Sequence, residues 1–153
     1  WILLRRMLKA SAAGRTVLEI SDHPVFPGRE YELFLSQASR VGVKSVEVHL
    51  LCDERATYQQ GTNTRRERQR VFERALATID QQPPRRRGAV ETRLKLQPPA
   101  EAMHSFRSQH NAIDWRLVVR AKLHDGQQVE RVFPLIVHPY VDESDAACLN
   151  PAS

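Results

Sequence analysis

The sequence predicts an all-β fold, an antiparallel two-sheet sandwich of about seven strands. Three observations carry this. Apolar side chains recur at every second position in several segments, charged residues between them give those segments one wet face, and Gly, Pro and Asp-Gly turn signals separate the runs. Strands in parallel sheets are covered on both sides and read as continuous apolar runs, so a wet face points to antiparallel pairing.

In chain order, residues 16–21 read as a strand with Leu18 and Ile20 inward, and 24–28 as a turn rich in Pro and Gly. Tyr31, Leu33 and Leu35 then alternate with Glu32 and Ser36, and Val46, Val48, Leu50 and Cys52 with Glu47 and His49. Val90, Thr92, Leu94 and Leu96 alternate with Glu91, Arg93 and Lys95 until Pro98-Pro99 ends the run. The cleanest strand is 113–123, with Ile113, Trp115, Leu117, Val119, Ala121 and Leu123 on one face. Asp125-Gly126 marks a hairpin, and the return strand carries Val129, Arg131, Phe133, Leu135 and Val137 on one side. Residues 64–82 are ambiguous. Thr64 and Glu67 have the form of a capping box, and Val71, Ala75 and Ile79 would line a helical face. Period two instead puts Val71, Ala75, Ala77 and Ile79 on one side of a long strand.

A chain of 153 residues fits one domain, and 41% hydrophobic with 27% charged residues excludes wholesale disorder and a membrane-embedded chain. The expected division is an N-terminal stub or juxtamembrane linker over 1–14, the sandwich over 15–139, and a fraying acidic-to-polar tail over 140–153. A chain opening on Trp1 is expected to be a piece of a longer protein. Trp1-Ile2-Leu3-Leu4 before Arg5-Arg6 has the look of the cytoplasmic end of a spanning helix, which would place the domain at the cytoplasmic face of a membrane. Two cysteines, Cys52 and Cys148, make no disulfide framework.

The residues suggest no catalytic group, metal or cofactor. His49 and Cys52 point to opposite faces of one strand, and His104 with His110 lacks a third ligand. No nucleophile elbow, phosphate loop or dinucleotide fingerprint occurs, and a hydrolase built from Ser105 with His104 or His110 is a remote alternative. The net charge of +5 gathers in arginines. On one strand, Arg66, Arg68, Arg70 and Arg74 would project to one side as a positive stripe about 25 Å long, with Arg85, Arg86 and Arg87 in the following loop. Such a stripe could hold nucleic acid or acidic lipid. Against this, Glu67 and Glu73 are interleaved, and the reading places no aromatic among the arginines for base stacking.

The order of Pro27-Gly28, the strand after it, the strand 46–52, Leu94-Lys95-Leu96, Pro98-Pro99, Ser105-Phe106 and the closing strands around Trp115 and Phe133 resembles one lobe of the arrestin-like β-sandwich proteins. It is also similar to soluble tails of bacterial membrane-anchored proteins of unknown function. The resemblance implies an immunoglobulin-like sandwich without catalytic machinery that contacts other proteins, and it favours the strand reading of 64–82. No buried ion cluster can be matched in the sequence. The expected function is a non-enzymatic interaction domain with a protein partner, and an anion-binding module is the alternative.

Overall fold

The computed structural model of the chain describes residues 5–11, 14–80 and 88–139, with side chains described over 14–80 and 89–139. Nine strands run in order: β1 (Arg5–Ser11), β2 (Gly14–Ile20), β3 (Tyr31–Ser39), β4 (Val43–Gln60), β5 (Asn63–Asp80), β6 (Gly88–Leu96), β7 (Phe106–Arg107), β8 (Asn111–Leu123) and β9 (Gln128–Leu135). β7 has only two residues, so eight full strands stand where about seven were expected. No helix occurs among the described residues, and so none there is long and apolar enough to cross a membrane.

One sheet has the order β1-β2-β3-β6 and the other β5-β4-β8, with β7 and β9 sharing the far side of β8. Every strand pair is antiparallel. Alternation explains the two layers. Leu18, Ile20, Leu33, Leu35, Val46, Val48, Leu50, Leu117, Val119 and Phe133 are almost fully buried between them, each contributing about 1.5–3 kcal/mol by leaving water. Trp115 is 4% exposed, and its Nε1 donates to the Met103 carbonyl at 2.7 Å, which satisfies the one polar atom its burial would otherwise strand. The Asp-Gly hairpin forms as expected: Gly126 adopts φ 86°, and Gln127 N–H donates to Asp125 Oδ1 at 2.9 Å.

The structure adds one strand and bears out the strand reading of another segment. Residues 5–11, expected in a stub or linker, form β1 and pair with β2 along their length, so they belong to the first sheet. Residues 1–4 of the apolar opening and the tail from 140 lie outside the described residues. Residues 64–82 are a strand over Asn63–Asp80, not a helix, because pairing with β4 overrides helix propensity. The inward set differs from the expected one, however. Val71 is exposed, and Phe72 takes the inward place opposite Cys52.

Candidate functional site

β4 and β5 are eighteen residues each and form the longest hairpin of the molecule, closed at Gly61, whose φ of 66° favours glycine. β8 pairs with β4 only as far as Ala56, so 57–60 and 63–66 continue as a two-stranded ribbon beyond the sheet. β5 is the edge strand of its sheet over its whole length.

Two irregularities decide where its side chains point. Val71 and Leu76 have no partner on β4, since the register passes from Cys52↔Phe72 to Asp53↔Arg70 and from Val48↔Ala77 to His49↔Ala75. Each unpaired residue is a β-bulge that reverses the odd-even assignment of faces beyond it. Arg66, Arg68 and Arg70 therefore lie on the outer face with Asp53 and Arg55, whereas Arg74 lies on the inner side opposite Leu50. This corrects the expected four-arginine stripe: three share a face and Arg74 does not. The Arg74 guanidinium sits 5.1 Å over the Phe72 ring and donates to the Gln97 carbonyl at 3.2 Å, bridging towards the other sheet. Phe72 in turn packs against Trp115 at 5.5 Å between ring centroids, so an aromatic does lie among the arginines, turned to the core. Arg85, Arg86 and Arg87 lie outside the described residues.

The outer face also holds a cluster the sequence reading missed. Asp53 is buried, 1% exposed, and both its oxygens are engaged by arginines. Arg70 Nε donates to Oδ1 at 2.9 Å, Arg68 Nε to Oδ2 at 2.7 Å, and Arg116 of β8 also pairs with Oδ2. Burial pushes the Asp53 carboxyl up, but the hydrogen bonds from Arg70 and Arg68 and the charge of Arg116 outweigh it and hold the group below its ordinary value. Leu51 and Val118, apolar residues buried although they lie on the outer face, line a shallow cleft together with Arg68, Arg70 and Arg116. Next along the face, Arg55 Nη2 and Arg107 Nη2 meet Asp114 Oδ2 and Oδ1 at 2.6 and 3.2 Å, and Arg70 Nη1 is 3.4 Å from Glu73. Arg66 makes no ion pair among the described residues. Five guanidiniums thus share three carboxylates around the base of the ribbon, with Arg66 beside them. A cleft of about 430 Å³ opens there between Arg55, Arg66, Arg68, Arg107 and His110.

On the opposite face of the ribbon Tyr58 donates to Glu67 Oε1 at 2.6 Å, and this bond holds the phenol's pKa above its ordinary value. Ser105, His104 and His110 are not brought together as a hydrolytic group. The Ser105 hydroxyl accepts from Val137 N–H at 2.9 Å and faces the Leu135 carbonyl at 3.4 Å, holding β9's end beside β7. Cys52 is buried, and desolvation, with Asp53 and Asp114 nearby, pushes its thiol up to about 11, so it is a core side chain. No group of three His, Cys, Asp or Glu that could hold a metal occurs among the described residues.

A scan against family models and a search of curated proteins each find no match. Among solved structures the chain is similar to Spo0M, a sporulation control protein from Bacillus subtilis, with TM-score 0.58 at 11% identity over 84% of this chain and 50% of that one. The chain therefore spans about half the length of that protein. The likeness shows the fold, an arrestin-like β-sandwich, in agreement with the arrestin-like part of the resemblance read from the sequence.

Proposed function

We propose that this domain is a non-enzymatic interaction module that takes an extended segment of a partner protein against the free edge of β5. The observation that carries the reading is the edge itself: eighteen residues with no strand paired to their outer side among the described residues. Such an edge presents a row of backbone donors and acceptors, and an added strand gains affinity from main-chain hydrogen bonds. Proteins guard exposed edges with charge and bulges, and β5 has both, but unequally. The bulges at Val71 and Leu76 disturb its second half, whereas 63–70 pairs with β4 in unbroken register. That regular stretch is about 26 Å long, enough for a docked strand of ordinary length.

The anion-binding alternative draws on the same arginines, but Phe72, the aromatic of their strand, is packed on Trp115 rather than offered to a base. The test is selection from a displayed library of short peptides, followed by mapping of bound peptides through backbone amide shifts and hydrogen exchange. Selected peptides should shift and protect amides within 63–70. Peptides that map instead to β1, β6 or the loops would remove β5 as the docking edge. Binding only to heparin, lost at modest salt, would favour the anion module.

A further inference from the structure

We infer that the segment docked on β5 is acidic on one face, with carboxylates at alternate positions lying beside Arg66, Arg68 and Arg70. This deepens the edge-docking reading and rests on it. The argument starts from parity. The three arginines occupy successive outer-face places on the bulge-free part of β5. A strand added along that edge sets its own alternate residues about 5 Å from them, within reach of charge pairing. Between them, Arg65, Glu67 and Gln69 take the other face, which is mixed in sign and selects nothing comparable.

The outer face also has a surplus that the chain does not neutralise. Arg68, Arg70 and Arg116 share the single carboxylate of Asp53, and Arg66 has none. Asp53 offsets one of three positive charges, so the trio keeps a net charge of +2, while its hydrogen bonds fix the guanidiniums before a ligand arrives. Arg68 is 54% and Arg70 39% exposed, which leaves donors of each open to the edge. Glu73, beside Arg70, ends the basic run, so the acidic face is confined to positions opposite 66–70. A second copy of this chain is a poor occupant, because its own β5 would bring Arg65, Arg66, Arg68 and Arg70 against the same residues with only Glu67 to offset them.

Three peptides of about ten residues test this: one alternating Glu and Thr, one of the same composition with the Glu residues consecutive, and one alternating Gln and Thr. Binding is read by fluorescence anisotropy on the full chain. The alternating Glu peptide should bind about tenfold more tightly than either of the others. Arg66→Glu, at an exposed site without an ion pair, should abolish that advantage while leaving the melting curve unchanged. N-methylation along the bonding edge of the alternating Glu peptide should abolish binding. If the consecutive peptide binds as tightly as the alternating one, the arginines attract charge without reading its placement, and the inference is overturned. Equal binding of the alternating Gln and Glu peptides overturns the acidic face but leaves the edge reading intact. Failure of both alternating peptides overturns both. Tighter binding of single-stranded DNA of equal charge assigns the arginines to nucleic acid and also overturns the inference.

Discussion

Asp53→Ala is the most informative single change in this molecule. It removes a carboxylate 1% exposed and strips Arg68, Arg70 and Arg116 of their shared acceptor. Breaking a buried charge pair from one side costs about 3–5 kcal/mol. The structure sets the outcome near the lower end, because Arg68 and Arg70 are 54% and 39% exposed and recover water as a partner, whereas Arg116, at 16%, does not. A loss of about 3 kcal/mol in urea unfolding at neutral pH is therefore expected. The pH dependence supplies the sign. The Asp53 carboxyl is held below its ordinary 3.8, so its contribution is fully present above that value and is lost as pH falls through the lower folded value. The gap between wild type and Asp53→Ala should accordingly narrow in acid. A gap below about 0.5 kcal/mol at neutral pH, or one that does not change with acid, would refute the assignment of these arginines to Asp53.

Three further outcomes follow from the core and the turns. Trp115→Ala should cost about 3–5 kcal/mol in the same assay, since it empties a buried ring site and frees the Met103 carbonyl. Gly14→Ala drives a Cβ into the Ala38 carbonyl oxygen and should cost about 2 kcal/mol or more, whereas Gly61→Ala meets no atom and should cost about 1 kcal/mol from its positive φ alone. Thermal melts of the two variants compare them directly. In a Cys148→Ser background, Cys52 should react with a thiol reagent only at the rate of unfolding, because burial and a thiol pushed up to about 11 suppress the thiolate. Labelling that outpaces unfolding would place Cys52 at the surface.

The alternation of β3, β4 and β8 was legible because each buries one face along most of its length, and a period of two then maps directly onto inward and outward. β5 was not, for two reasons. It is exposed on both faces over most of its length, so burial leaves no imprint on its composition, and its Arg, Glu, Gln and Ala content favours helix by local propensity. The bulges at Val71 and Leu76 then shift parity within the strand, which no spacing rule anticipates without knowledge of the partner register. The Asp53 cluster was hidden for a related reason. Its arginines lie 15, 17 and 63 residues away in sequence, and only the pairing of β4 with both neighbours makes them contacts. β1 was missed because a short basic run gains its strand identity from the full register with β2 rather than from a hydrophobic pattern of its own.

The unpaired Val71 also governs how this hairpin tolerates change in length. Excising that one residue leaves Phe72 opposite Cys52 and Arg70 opposite Asp53, so every pairing survives. Excising Gln69 instead shifts all that precedes it by one step and turns Arg66 and Arg68 to the side now held by Arg65 and Glu67. Single-residue insertions and deletions among descendants of this sequence should therefore gather at the bulges and the tip, with the intervening rungs kept constant in number.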